Sequence, residues 1–248
     1  LAEVAHGETT ADTLFGGRVA LAQPAKNRGY RVNVDAILLA AFAAGVLDEP
    51  PARARKAKAA FDLGSGVGAV GLSLLHLGGA SHVTMIEVDP ILAGLAEENA
   101  VANRWQDRIE VRLGSVAAIT KSDADLVVCN PPYVPPGRGR APLAVRATAK
   151  MGSLDDFVYA ARKLAGRRAR VCFVYPAIEA TTLLGSLRSA GLEPKRLRTV
   201  HSKPNEKARV VLVEAVAGKP GGLVIEPGFV ETDGKGRRSS PIERLLAK

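Results

Sequence analysis

The period of the hydrophobic positions changes repeatedly along the chain, and each change marks an element. Residues 36–46 (AILLAAFAAGV) are apolar on every side and predict a buried core helix, with Asp35 as its N-cap. DEPPARARKAK (48–58) is a charged linker with two prolines. Short apolar runs then alternate with helical stretches. AAFDL predicts a strand, 67–77 a helix, 82–88 (HVTMIEV) a strand and 90–103 a helix. RIEVRL (108–113) alternates cleanly as a strand, and 125–129 is a short buried strand. PPYVPPGRGRAP is a loop by composition, followed by an amphipathic helix at 154–164. A strand at 169–175 precedes a helix at 178–190 that Gly191 closes. Two strands near 196–201 and 208–216 follow with no helix between them, which predicts an antiparallel hairpin. Residues 1–29 are weakly patterned, and 218–248 are Gly-rich and basic with a last helix at 241–247.

Repeated β-α units predict an α/β, Rossmann-like fold: a seven-stranded, mostly parallel sheet with an antiparallel last strand and helices on both faces. The domain reading is an N-terminal extension and helix over 1–55, a catalytic core over 56–217, and a basic C-terminal tail over 218–248 that contacts RNA.

Composition narrows the classes. At 248 residues and 47% hydrophobic content, the chain suits one α/β domain. No apolar run approaches the ~20 residues that span a bilayer, so no membrane partner is expected and the cytoplasm is the default location. Cys129 and Cys172 lie in strand-like runs as small hydrophobes. His6, His76, His82 and His201 share no metal-ligand spacing, so no metal is expected. The net charge of +9 favours polyanions, nucleic acid first, although it also suits a merely soluble surface. Aromatics at 4% exclude an extended base-stacking platform. A monomer is the working expectation.

Two motifs carry chemistry. FDLGSGVGAVG (61–71) follows a strand and opens a helix, so its glycines let backbone amides approach a ligand closely. Gly66, Gly68 and Gly71 satisfy the dinucleotide pattern G-x-G-x-x-G. Asp62, Gly64, Ser65, Gly66 and Gly68 equally satisfy D-x-G-x-G-x-G, the methyltransferase form. An acid before the first glycine suits the cationic amino group of S-adenosylmethionine and suits a pyrophosphate poorly. Glu87, ending the next strand, is placed for ribose hydroxyls, and Asp89 reads as an N-cap before Pro90.

The second motif is Asn130-Pro131-Pro132-Tyr133, after the buried strand DLVVC. Consecutive prolines hold the backbone extended and remove two amide donors. The Asn130 side-chain oxygen and the Pro131 carbonyl can then accept both hydrogens of one amino group, while Tyr133 offers a stacking face. A sulfonium is already a strong methyl donor, so positioning supplies much of the rate and no strong base is required.

Together DLGSGVGAVG and NPPY resemble the Asn-Pro-Pro-Tyr class I S-adenosylmethionine-dependent amino-methyltransferases, which act on adenine, guanine or glutamine nitrogens. ETTADTLFGGRVALAQPAKNRGYRVNVDAILLAAF (8–42) and ARVVLVEAVAGKPGGLVIEP near the end are most similar to the bacterial tRNA1(Val) adenine-N6-methyltransferase family. That resemblance implies S-adenosylmethionine as cofactor and RNA, tRNA above all, as partner. It implies Asn130, Pro131 and Tyr133 as the catalytic set. It also implies a segment closing the cofactor site that includes Tyr30, Arg31, Asn33 and Asp35. One position departs: where the group often has Gly-Asp after the third strand, this chain has Gly114-Ser115, leaving an uncharged Ser115 toward the cofactor adenine. Arg138, Arg140, Arg146 and Lys150 follow the motif and are expected to hold phosphates at the mouth of the site. The competing readings are a release-factor glutamine methyltransferase, a ribosomal RNA guanine methyltransferase, and a non-catalytic RNA-binding module on the same fold.

Overall fold

The computed structural model describes residues 9–25, 33–47, 56–133 and 152–248. Tyr30, Arg31, Arg138, Arg140, Arg146 and Lys150 lie outside the described residues. A hairpin of β1 (Thr9–Leu14) and β2 (Val19–Pro24) precedes helix α1 (Val34–Ala44). The core then runs β3 (Ala57–Leu63), α2 (Ala69–His76), β4 (Ala80–Glu87), α3 (Pro90–Ala102), β5 (Ile109–Leu113) and β6 (Ala124–Cys129). It continues through α4 (Leu154–Leu164), β7 (Ala165–Pro176), α5 (Ala180–Ser189), β8 (Leu192–His201) and β9 (Ala208–Ala217). Strand β10 (Val224–Val230) and helix α6 (Ser240–Leu246) end it.

The large sheet has the order β10-β8-β9-β7-β6-β3-β4-β5, parallel throughout except for β9. Its central strands are near-continuous apolar runs because helices cover both faces. Along β6 the side chains alternate: Leu126 and Val128 join the core with α1, while Val127 and Cys129 join the core with α4. Helix α1, apolar after its first turn, is correspondingly buried from Asp35 to Ala44. The reversal at the paired final strands follows from their short connection, which cannot make a parallel crossover.

The expected seven strands are joined by an eighth. The segment at 218–248, expected as a basic tail, supplies β10 parallel to β8. Arg196 on β8 holds Glu226 at 2.5 Å, Arg209 on β9 holds Glu231 at 2.9 Å, and α6 buries Ile242 and Leu245. The weakly patterned N-terminus also has a fixed place. Asn99 and Asn103, one turn apart on α3, offer their amides as a substitute strand. Asn99 Oδ1 accepts the Ala22 N–H at 2.6 Å, and Asn103 Oδ1 accepts the Ala20 N–H at 2.8 Å. Their Nδ2 groups donate back to the carbonyls of the same two residues.

Both cysteines are fully buried, and burial pushes their thiols up, so neither is a reactive thiolate. Among the described residues there is no cluster of metal-ligating side chains, and no helix is long and apolar enough to cross a membrane.

Candidate active site

The carboxyl ends of β3, β4, β5, β6 and β7 converge on one cavity of ≈ 310 Å³. Its size is at the lower end of ordinary small-molecule sites. The glycine loop forms one wall. Gly64, Gly66 and Gly68 have φ of +65°, +56° and +87°, a region that penalises any side chain. The conformation is pinned from below, because Gly64 and Ser65 both donate their N–H to the Ile86 carbonyl, at 2.9 and 3.0 Å. Close packing adds a second constraint: a Cβ on Gly64 would meet the Phe157 ring at 2.9 Å, and one on Gly68 the Met85 sulfur at 2.9 Å. Gly64, Ser65 and Gly66 line the cavity, whereas Gly68 sits behind them as the left-handed N-cap of α2.

Glu87 is 3% exposed yet lines the cavity. Its Oε2 accepts the Gly66 N–H at 2.7 Å, and its Oε1 accepts the N–H groups of Val88 and Asp89 at 2.8 and 2.9 Å. Three bonds leave a carboxylate capacity for a ligand hydroxyl. Asp89 caps α3 as expected, accepting the Ile91 N–H at 2.8 Å beside Pro90.

Three positions differ from expectation. Asp62 is off the cavity wall: it is 1% exposed beneath the loop, and its Oδ2 accepts the Gly71 N–H at 3.0 Å. Burial pushes its carboxyl up to about 7; the Gly71 bond opposes the rise and the charge of Glu87 adds to it. Asp62 therefore anchors the start of α2. Asp35 is not the cap of α1. Asn33 is, accepting the Asp35 N–H at 3.0 Å, and Asp35 enters the first turn facing the cavity. Its carboxylate meets Arg209 at 2.6 Å, and Arg209 also grips Glu231. Ser115 turns its hydroxyl to the Ala117 N–H at 3.2 Å and caps a short turn, while its neighbours Gly114 and Val116 line the cavity.

Asp62 carries a pH prediction. A carboxyl near 7 when folded and near 3.8 when unfolded binds more protons in the folded state between those values. Its contribution to stability therefore falls as pH rises through that window. Asp62→Asn removes the titration, so the stability of the variant relative to wild type should climb from pH 4 to pH 7. Chemical denaturation at several pH values measures this, and a difference independent of pH would refute it.

Asn130, Pro131, Pro132 and Tyr133 line the same cavity. The Asn130 side chain makes no hydrogen bond to another described residue, so its amide is available to a ligand. Tyr133 is oriented from two sides: its ring packs edge-on against Tyr175 at 5.7 Å, and its hydroxyl donates to Glu179 Oε1 at 3.4 Å. Sequence reasoning passed over Tyr175, Glu179, Phe157 and Arg209. The FVYP that ends β7 was a usable signal, an aromatic at the carboxyl end of a parallel strand.

The lining fits S-adenosylmethionine. Its charged members among the described residues are Asp35 and Glu87, both acidic, which favours a cationic ligand and disfavours a dinucleotide pyrophosphate. Ser65 is buried on this wall with its hydroxyl unpaired, an orphan that a polar ligand would satisfy.

Comparison with known proteins agrees. The family model "Methyltransferase small domain" matches residues 42–148. A tRNA1(Val) (adenine(37)-N6)-methyltransferase from Aeromonas hydrophila is 29% identical over 191 residues, covering 76% of this chain and 77% of its own. One of the same name from Phocaeicola vulgatus is 28% identical, covering 74% and 75%. A crystal structure from Agrobacterium tumefaciens, described as a predicted O-methyltransferase, shares the fold with a TM-score of 0.65 at 22% identity, covering 86% of this chain and 95% of that one. Residues 42–148 thus match the methyltransferase small domain, and in its fold, its glycine loop and the acidic cavity at the carboxyl edge of its sheet the chain is similar to class I S-adenosylmethionine-dependent methyltransferases.

Proposed function

We propose that the protein methylates the exocyclic N6 amine of an adenine in RNA, with a tRNA anticodon loop as the leading substrate. The observation that carries this reading is the shared cavity. Gly64–Gly66 with Glu87 and Asn130–Tyr133 line one cavity whose charged members are acidic. The names of the relatives support the choice of substrate.

Bound in this cavity, S-adenosylmethionine supplies an electrophilic methyl carbon. The chain's own residues do the rest. Glu87 would hold the ribose hydroxyls and, with the closely packed glycine loop, fix the donor's position. Asn130 Oδ1 and the Pro131 carbonyl accept the two amine hydrogens and turn the nitrogen lone pair out of the ring plane. Tyr133, held by Glu179 and Tyr175, stacks on the base, a contact worth ~1–3 kcal/mol. The amine nitrogen, cationic once methylated, would release its proton to solvent. Positioning of this kind accounts for large rate effects without a strong base. An unpaired loop is the cheaper source of an extruded adenine than a duplex.

The test offers tritiated S-adenosylmethionine with unmodified tRNA transcripts, ribosomal RNA and a release factor, followed by nucleoside and peptide mass spectrometry. Label in tRNA as N6-methyladenosine is expected. Label as methylguanosine, or on a release-factor glutamine, would contradict the reading.

A further inference from the structure

We propose that a basic ledge built from residues 201–207 and 231–238 binds RNA backbone phosphates beside the methyl-transfer site. The proposal rests on the RNA reading above and specifies where the polyanion lies. The sequence scatters its cations, and the topology sorts them. Arg170 and Arg196 are committed inside the fold. Arg170 donates to the Ala43 carbonyl at 2.7 Å, and Arg196 sits between Glu214 and Glu226. Arg198 is 7% exposed, over the Phe229 ring. Arg167 and Arg168 lie at the amino end of β7, and the seven steps along the strand from Arg168 to Tyr175 put roughly 23 Å between them and the cavity. Lys195, near the start of β8, donates to the carbonyls of Lys219 and Gly221.

One group of exposed cations gathers at the carboxyl edge, where the cavity opens. Because β8 and β10 run parallel to β6 and β7, the connection after His201 and the turn after Val230 both project there. Lys203, Lys207, Lys235, Arg237 and Arg238 are all exposed on these two segments. The segments are zipped into one body. Glu231 donates its N–H to the His201 carbonyl at 2.9 Å, and Thr232 donates to the Ser202 carbonyl from its N–H at 3.0 Å and its Oγ1 at 2.6 Å. Asp233 closes the turn by accepting the N–H groups of Lys235 and Arg237 at 2.8 and 2.9 Å. Such a surface is formed before RNA arrives and avoids most of the ordering cost of binding. Glu206 and Asp233 face Lys203 and Arg237, whereas Lys207, Lys235 and Arg238 have no ion pair with a described residue. The ledge also joins the cavity directly: β9 leaves it at Ala208, Arg209 holds Asp35, and Val210 lines the wall. An adenine inserted beside Asn130 must bring its flanking phosphates across this edge.

The experiment compares the whole chain with a triple variant, Lys207→Ala with Lys235→Ala and Arg238→Ala, and with an amino-edge control, Arg167→Ala with Arg168→Ala. Each is titrated with a fluorescent tRNA transcript over a range of salt, and S-adenosylmethionine affinity is measured alongside. The triple variant should bind tRNA roughly 10–100-fold more weakly, with a log–log salt slope reduced by about 2–3. Its cofactor affinity should stay within about twofold of wild type, and the control should bind RNA like wild type. Wild-type affinity and slope in the triple variant, or a loss confined to the amino-edge control, would overturn the ledge while leaving RNA methylation standing. A wild-type chain that binds no RNA would overturn the RNA reading and the ledge together.

Discussion

Asn130→Ala should lower kcat for methyl transfer by about 10³-fold or more while S-adenosylmethionine affinity changes by less than ~3-fold. The cost falls on the chemical step because the side chain aims the amine. Misplaced reacting groups and lost preorganised hydrogen bonds each cost on the order of 10²–10³-fold. The fold should not notice. Asn130 is half-buried at the end of β6, and its side chain makes no hydrogen bond to another described residue, so the melting temperature should hold within a few degrees. Asn130→Asp keeps an acceptor oxygen in place and should retain more activity than the alanine variant. Single-turnover kinetics and equilibrium dialysis separate the two effects. An alanine variant with full turnover, or one that loses cofactor binding instead, would remove Asn130 from the role assigned to it.

Glu87→Ala should act on the cofactor and show the opposite division. Its carboxylate accepts from Gly66, Val88 and Asp89, so truncation leaves three backbone donors without their acceptor. An unsatisfied buried donor costs about 1–3 kcal/mol, and water will repair part of this. A stability loss of about 2–4 kcal/mol is expected by chemical denaturation. Two ribose hydroxyls also lose a charged acceptor, which should raise the cofactor Kd by about 100-fold. Glu87→Gln keeps one carbonyl acceptor and should fall between wild type and alanine. Calorimetry is best run where circular dichroism shows the variant folded. An alanine variant with unchanged affinity would mean that Glu87 only braces the loop.

The parallel core was legible because its signals are local. AAFDL and DLVVC are apolar without alternation, as strands buried on both faces must be, and the glycines stand where φ turns positive. The features that escaped depend on partners distant in sequence. VIEPGFV, with a proline and a glycine, is a poor strand by propensity, yet Arg196 and Arg209 from β8 and β9 fix its two ends. TTADTL and VALAQP form a hairpin whose outer support is the amide pair on α3, some eighty residues later. The site was misread where burial decides the role. An acid before a glycine reads as a ligand contact, but Asp62 lies beneath the loop and bonds Gly71. Asn33 and Asp35 are both good caps, and the structure gives the cap to Asn33 while Asp35 pairs with Arg209.

A crystal structure with S-adenosylhomocysteine and an adenine nucleoside tests the central geometry most directly. The ribose hydroxyls should lie within hydrogen-bond distance of Glu87, with the ligand sulfur facing the adenine N6 amine held by Asn130. A sulfur directed away from Asn130, or ligand density anywhere other than between the glycine loop and Tyr133, would contradict it.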